Sequence, residues 1–149
     1  MALLGVFSSS MKTLVLMAAL IAVSPVALGE LAPEVYQAMQ QAAPEVLQLE
    51  ILSVEIDRDF HKPDGCGFFE FEITRNVVVE AKVLSVVRSR IGIRPGAVLR
   101  IPYTSVKRCE GFSGPRSLLL LSEKDRVYAY LAKTERGLAP AARGASFTR

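Results

Sequence analysis

Two long runs of alternating apolar and polar residues constrain the fold of this chain most. The first run covers Val46 to Ile56 and the second covers Val77 to Val87. Alternation puts the apolar side chains on one face, so each run predicts a long β-strand with one buried face. The alternation slips at Leu52-Ser53 and again near Leu84-Ser85. Each slip favours a β-bulge or a bend in the strand.

Shorter strands are predicted on either side of the second run. Phe69 to Thr74 alternates, and so does Ala97 to Thr104, where Pro102 favours an edge position because proline cannot donate to a ladder. The continuous apolar character of Leu118 to Leu121 predicts a buried strand, and Val127 to Leu131 predicts the last strand.

One short helix precedes the predicted strands. Glu34 to Ala42 can form it, with Pro33 suited to the first helical position and Pro44 unable to continue the helix. The mature chain then divides into a helix and linker over 30–44 and a β domain over 45–132. Residues 133–149 offer little to bury, so they predict a flexible tail.

The first thirty residues predict an export signal. Lys12 precedes an apolar run from Leu14 to Val23, and the small-residue tripeptide Ala27-Leu28-Gly29 follows. This order is typical of a secretory signal peptide over 1–29, with the mature chain starting at Glu30. The alternative is a membrane anchor, but the run is short of the roughly 20 apolar residues that a span needs. We expect a periplasmic or secreted protein with no membrane span after cleavage.

Both cysteines, Cys66 and Cys109, lie among turn residues of the predicted exported part. An even count in an oxidising compartment favours one disulfide between them. The spacing is not that of a thioredoxin motif, and two distant cysteines with the single His61 do not make a zinc site.

Five or six strands with short turns, two of them long and bent, predict a mainly β fold. We expect a small OB-like five- or six-stranded barrel with a short N-terminal helix. The stretches VVVEAKVLSVVRS, PGAVLRIPY and RSLLLLSEKDRVYAYL lie between Val77 and Leu131, with a cysteine-bearing loop before the third. Their pattern resembles the OB-fold of secreted netrin-type and metalloproteinase-inhibitor-like domains. Inhibitory members of that family chelate the protease metal with an N-terminal cysteine. Because Glu30 stands at the predicted N-terminus, the resemblance implies the fold and not the inhibition.

The charges of the mature chain are divided between its halves. Residues 30–80 carry eleven acids and three bases, whereas residues 81–149 carry four acids and fourteen bases. We favour pairing of these charges across the sheet. The alternative is that the basic half binds a polyanion, and OB-folds use such faces for oligosaccharides and oligonucleotides. The candidate ligand-binding residues are Arg88, Arg90, Arg100, Tyr103, Lys107 and Arg108.

The leading functional hypothesis is an exported, non-enzymatic binding or accessory protein. Export makes nucleic acid an unlikely ligand and favours an acidic polysaccharide, a lipid headgroup or an acidic envelope protein. The alternative is a small hydrolase or metal-dependent enzyme with its site around Asp57–Asp64, a predicted polar loop that also holds His61. No catalytic residue, metal ligand or cofactor motif is assigned, because no nucleophile, base or ligand set has the required spacing.

Overall fold

The computed structural model describes residues 31–62, 72–107 and 114–149. The chain is mainly β, as predicted, with one short α-helix. A further turn of 3-10 helix covers Arg143–Ala145. The elements in chain order are α1 (Pro33–Ala42), β1 (Glu45–Lys62), β2 (Glu72–Ser89), β3 (Val98–Lys107), β4 (Arg126–Thr134), β5 (Gly137–Pro140) and β6 (Phe147–Thr148).

The strands form one antiparallel sheet in the order β3-β2-β1-β4-β5, with β6 also paired to β4. Three consecutive strands and a fourth that returns beside the first make a Greek key. Strand β3 lies at an edge, as Pro102 predicts. The sheet is not closed among the described residues, although β3 and β5 come within 8 Å of each other in Cα position. A mainly β fold is therefore confirmed, whereas the barrel is not.

Both predicted phase slips are β-bulges between β1 and β2. Ile51 lies opposite Ala81 and Ser53 opposite Glu80, so Leu52 is an extra residue on β1. Leu84 is likewise an extra residue on β2, next to the buried Val83. Each extra residue restores the apolar side chains to the core side after the slip. The inward side chains are buried from Leu47 to Ile51 on β1 and from Val77 to Val83 on β2, within strands of 18 residues each.

The core gathers the inward side chains of the four longest strands, together with Leu121 and Phe147. Full burial of one such aliphatic side chain stabilises the fold by roughly 1.5–3 kcal/mol. The core residues are Leu47, Leu49, Ile51, Val77, Val79, Ala81, Val83, Ile101, Tyr103, Leu121, Val127, Ala129, Leu131 and Phe147.

The segment Leu118–Leu121 is not a strand, and that prediction is wrong. Its backbone is held by hydroxyl groups of β3 in place of a ladder. The Tyr103 hydroxyl donates to the Leu119 carbonyl at 3.1 Å and accepts from the Leu121 N–H at 3.2 Å. Ser105 Oγ donates to the Leu118 carbonyl at 2.9 Å. These bonds satisfy buried backbone groups without strand pairing.

The C-terminal segment differs from the flexible tail predicted for 133–149. It contains β5 and β6, and its Phe147 ring packs in the core with its centroid 5.3 Å from that of Tyr103. Ser146 is fully buried, and its hydroxyl accepts from the Ala142 N–H at 2.8 Å. Small residues bury little apolar surface each, so backbone hydrogen bonds and one aromatic ring order this segment.

Helix α1 begins one residue before the predicted start and ends at the predicted residue. Its buried Tyr36 hydroxyl accepts from the Arg116 N–H at 2.7 Å. Gln40 Nε2 donates to the Ala145 carbonyl at 2.8 Å, which fastens the helix to the C-terminal segment. In the described part of the chain, no helix has the length and apolar character needed to cross a membrane.

Candidate functional site

The predicted basic residues lie in three separate places along the sheet. Arg88 lies near the end of β2, and Arg90 follows just beyond it. Arg100 lies opposite Glu80, and Lys107 lies opposite Ile73. At about 3.3 Å per residue, positions 73 and 80 of β2 are roughly 23 Å apart, and positions 80 and 88 are roughly 26 Å apart. These residues therefore do not form one patch.

Of the other two predicted site residues, the structure describes Tyr103. Tyr103 is 7% exposed, and its hydroxyl is occupied by the Leu118–Leu121 segment. Burial raises the pKa of this phenol, against the lowering effect of the Leu121 N–H. Arg108 lies outside the described residues, as do Cys66 and Cys109 with their predicted disulfide.

Acids of the first half pair with bases of the second half, as the favoured interpretation of the charge division predicts. Arg100 lies 3.5 Å from Glu55, and Arg126 lies 3.5 Å from Glu50. The Arg100 and Glu55 side chains are 67% and 69% exposed, so their ion pair contributes at most about 1 kcal/mol. Arg100 therefore has an internal partner on an open face.

A cleft between α1 and the sheet is the best candidate site of the described chain. Its volume is about 310 Å³, at the lower end of the range for ligand pockets. It combines side-chain amides, one guanidinium, one phenol and two aliphatic side chains. The lining residues are Gln37, Gln40, Gln41, Val46, Val87, Arg88 and Tyr130.

Helix periodicity and strand register together build this cleft. Gln37, Gln40 and Gln41 are three and four residues apart, so they share one face of α1. On the sheet, Val46 pairs with Arg88 on one side and with Tyr130 on the other. Arg88, Val46 and Tyr130 therefore form a row across three strands. Only two residues, Ala43 and Pro44, separate the helix from β1. The short connection keeps the amide face of the helix beside the row.

Arg88 is anchored where α1 ends. Its Nη2 donates to the backbone carbonyl of Gln40 at 3.1 Å. The carbonyl end of a helix carries partial negative charge, so a cation is stabilised there. A guanidinium has five N–H donors, and this bond uses one of them. The remaining donors can bind a ligand in the cleft.

The buried Glu45 fixes the backbone next to Arg88. Its carboxylate accepts from the Ser89 hydroxyl and from the Arg90 N–H at 3.1 Å. Ser89 Oγ in turn accepts from the Ile93 N–H at 2.9 Å. The carboxylate is 1% exposed, and burial of a charged group requires such partners. The end of β2 is therefore held rigidly on the side that follows Arg88.

Among the predicted site residues that the structure describes, Arg88 is the one that lines the cleft. The three glutamines were identifiable in the sequence as a polar stripe at helical spacing, but glutamine alone does not indicate a site. The sequence does not distinguish Val46, Val87 and Tyr130 from other strand residues. Only the register of three strands brings them together beside the helix.

The alternative enzyme site differs from its predicted form. Asp57 to Lys62 belongs to β1 and is not a loop, and residues 63–71 lie outside the described chain. Among the residues that the structure describes, no three His, Cys, Asp or Glu side chains are grouped to hold a metal ion. The lining of the cleft offers hydrogen bonds and one positive charge, which suit binding.

Comparisons with protein-family models, with curated proteins and with solved structures found no match for this chain.

Proposed function

We propose that this chain is an exported, non-enzymatic binding protein that holds its ligand in the cleft between α1 and the sheet. One observation carries the proposal. Side chains from α1, β1, β2 and β4 converge on a single cleft that holds one guanidinium. Export is supported by the signal peptide predicted over 1–29, and the proposed location is the periplasm or the outside of the cell.

The proposed architecture is an OB-like barrel left open between β3 and β5. It is supported by the Greek key and by the approach of the two edge strands. OB-folds are partly open Greek-key barrels, and many bind oligosaccharides. The resemblance to netrin-type and metalloproteinase-inhibitor-like domains belongs to the same proposal. The cleft differs from the usual OB site because it lies over β1, β2 and β4.

The proposed ligand carries negative charge, either on an acidic polysaccharide or on an acidic envelope protein. Arg88 is the residue that would bind it, because a guanidinium recognises a carboxylate through two parallel hydrogen bonds. Arg100 is less suited to bind the ligand, since Glu55 already pairs with it on an exposed face. The basic half of the chain thus supplies one binding arginine and several structural ones.

Retention on an acidic polysaccharide resin tests the proposal with matched variants. Arg88→Gln should abolish retention, whereas Arg94→Gln should leave it unchanged. Arg94 is exposed, does not line the cleft, and loses the same charge on substitution. Equal losses of retention in the two variants would indicate a general charge effect and would contradict the cleft as the binding site.

A further inference from the structure

We infer that the cleft binds one carboxylated sugar ring, of the uronic acid type, at a time. This inference rests on the proposed function and names the ligand of the same site. Three properties of the cleft support it: its amides, its single cation and its apolar floor.

The amides match the hydroxyl groups of a sugar. A side-chain amide offers two N–H donors and a carbonyl acceptor, and a hydroxyl both donates and accepts. Gln37 and Gln41 are exposed on the helix face that lines the cleft, one turn apart. Gln40 is different, since its Nε2 is already bonded to the Ala145 carbonyl. Two amides are therefore placed to bind neighbouring hydroxyls of one ring.

The single cation limits the ligand to one carboxylate within the cleft. Arg88 is the one basic residue among the side chains that line it in the described chain. A densely charged polyanion would require several cations along its length, and two of the predicted basic residues, Arg100 and Lys107, lie elsewhere on the sheet.

The floor of the cleft suits the C–H face of a sugar. Val87 contributes the aliphatic surface, since it is 65% exposed although it is apolar, whereas Val46 lines the cleft but is buried. Tyr130 adds an aromatic body with a polar tip, which gives both a contact surface and a hydrogen bond. Acidic peptide motifs are recognised by clusters of arginines. The described lining of the cleft holds one arginine, so a sugar with a single carboxylate is the better match.

Solution NMR of the full chain can test this inference with two sugars that differ only at C6. Methyl glucuronide carries a carboxylate there, and methyl glucoside carries a hydroxymethyl group. The side-chain amide signals of Gln37 and Gln41 should shift with both sugars. The glucuronide should bind about tenfold more tightly, as expected for hydrogen bonds to a charged group.

Two kinds of variant separate the contributions. Arg88→Gln should reduce the affinity for glucuronide to that for glucoside, while Arg94→Gln should preserve the difference. The double variant Gln37→Ala/Gln41→Ala should lower the affinity for both sugars and keep the preference for the glucuronide. Arg88→Lys retains the charge without the planar guanidinium, so it should keep part of the preference and serves if Arg88→Gln fails to fold.

Equal binding of the two sugars, or a preference that survives in Arg88→Gln, would overturn the inference and leave the cleft as a binding site. Shifts caused only by a short oligoglutamate peptide would also overturn it, in favour of a protein ligand. If neither sugar nor peptide shifts the cleft signals, both the inference and the proposed function fail.

Discussion

The central strands and the C-terminal segment of this sheet are ordered by different forces. Strands β1 and β2 run for 18 residues each and contribute seven side chains to the core, from Leu47 to Val83. The C-terminal segment, residues 133–149, has strands of four and two residues and contributes Phe147. Its order depends on hydrogen bonds and close backbone contacts. Loss of one contact within the C-terminal segment should therefore have a local effect. Loss of one contact within the central strands should have a less local effect.

The largest effect is expected from Phe147→Ala. Truncation of a buried phenylalanine costs about 3–5 kcal/mol of unfolding free energy, through lost burial and the cavity that remains. Chemical denaturation measures it, with Val98→Ala as the control because Val98 is 60% exposed. Hydrogen exchange should rise first in β5 and β6. A uniform rise across all strands would contradict the contrast between the two regions.

The next effect concerns the predicted disulfide of Cys66 and Cys109. Cys66→Ser or Cys109→Ser should lower the stability by about 2–4 kcal/mol, because the bond restricts the unfolded chain. The double variant should match either single variant. Thiol labelling of the denatured, unreduced protein gives the direct test. Two reactive thiols in the wild-type protein would show that the cysteines are not paired.

A smaller effect is expected at Gly144, which lies against the backbone of Arg116. A Cβ at this position would overlap the Arg116 carbonyl group. Gly144→Ala should therefore cost about 1–3 kcal/mol, as overpacking does. It should also weaken the bond from the Arg116 N–H to the Tyr36 hydroxyl. Unchanged stability, with unchanged hydrogen exchange at Arg116, would mean that the contact is not tight.

The smallest effect is the pH dependence contributed by Asp125. The hydrogen bond from the Ser122 N–H, at 2.9 Å, lowers the pKa of this carboxyl, and Arg149 at 3.1 Å adds to the shift. Because folding lowers the pKa of Asp125, its ionised carboxylate stabilises the folded state. This stabilisation is fully present above the ordinary pKa of an aspartate. It is lost as the pH falls through the folded value.

Asp125→Asn should flatten the fall in melting temperature below about pH 4. The substitution should change the unfolding free energy by less than about 1 kcal/mol, since the Asp125–Arg149 pair is exposed. Glu123→Gln, in the same turn, is the control. An identical acid profile in wild type and Asp125→Asn would exclude a contribution from this carboxylate.

The central strands were predictable because their signal is local. The alternation of apolar residues at Val77, Val79, Ala81 and Val83 predicts the buried face directly. The slip near Leu84 predicts the bulge. The prolines on either side of α1 likewise mark its ends. The C-terminal strands were not predictable, because Gly137–Pro140 has no apolar period and is ordered by pairing with β4.

The candidate site was predictable only through its charge. Arg88 belongs to a basic half that the sequence marks as a possible binding region, but so does Arg100, which pairs with Glu55. The distinction depends on tertiary structure, because the register places Arg88 beside Val46 and under the end of α1. No local pattern contains that information.

The edge position of Pro102 has a consequence for how copies of this protein meet. An open sheet edge is a template on which a second chain can add a strand. Pro102 has no N–H to offer an incoming strand, and the exposed Arg100 and Lys107 flank it on β3. Two such edges would bring like charges together and lack a donor at their centre. We therefore expect the edge formed by β3 to resist pairing with the same edge of a second copy of the chain.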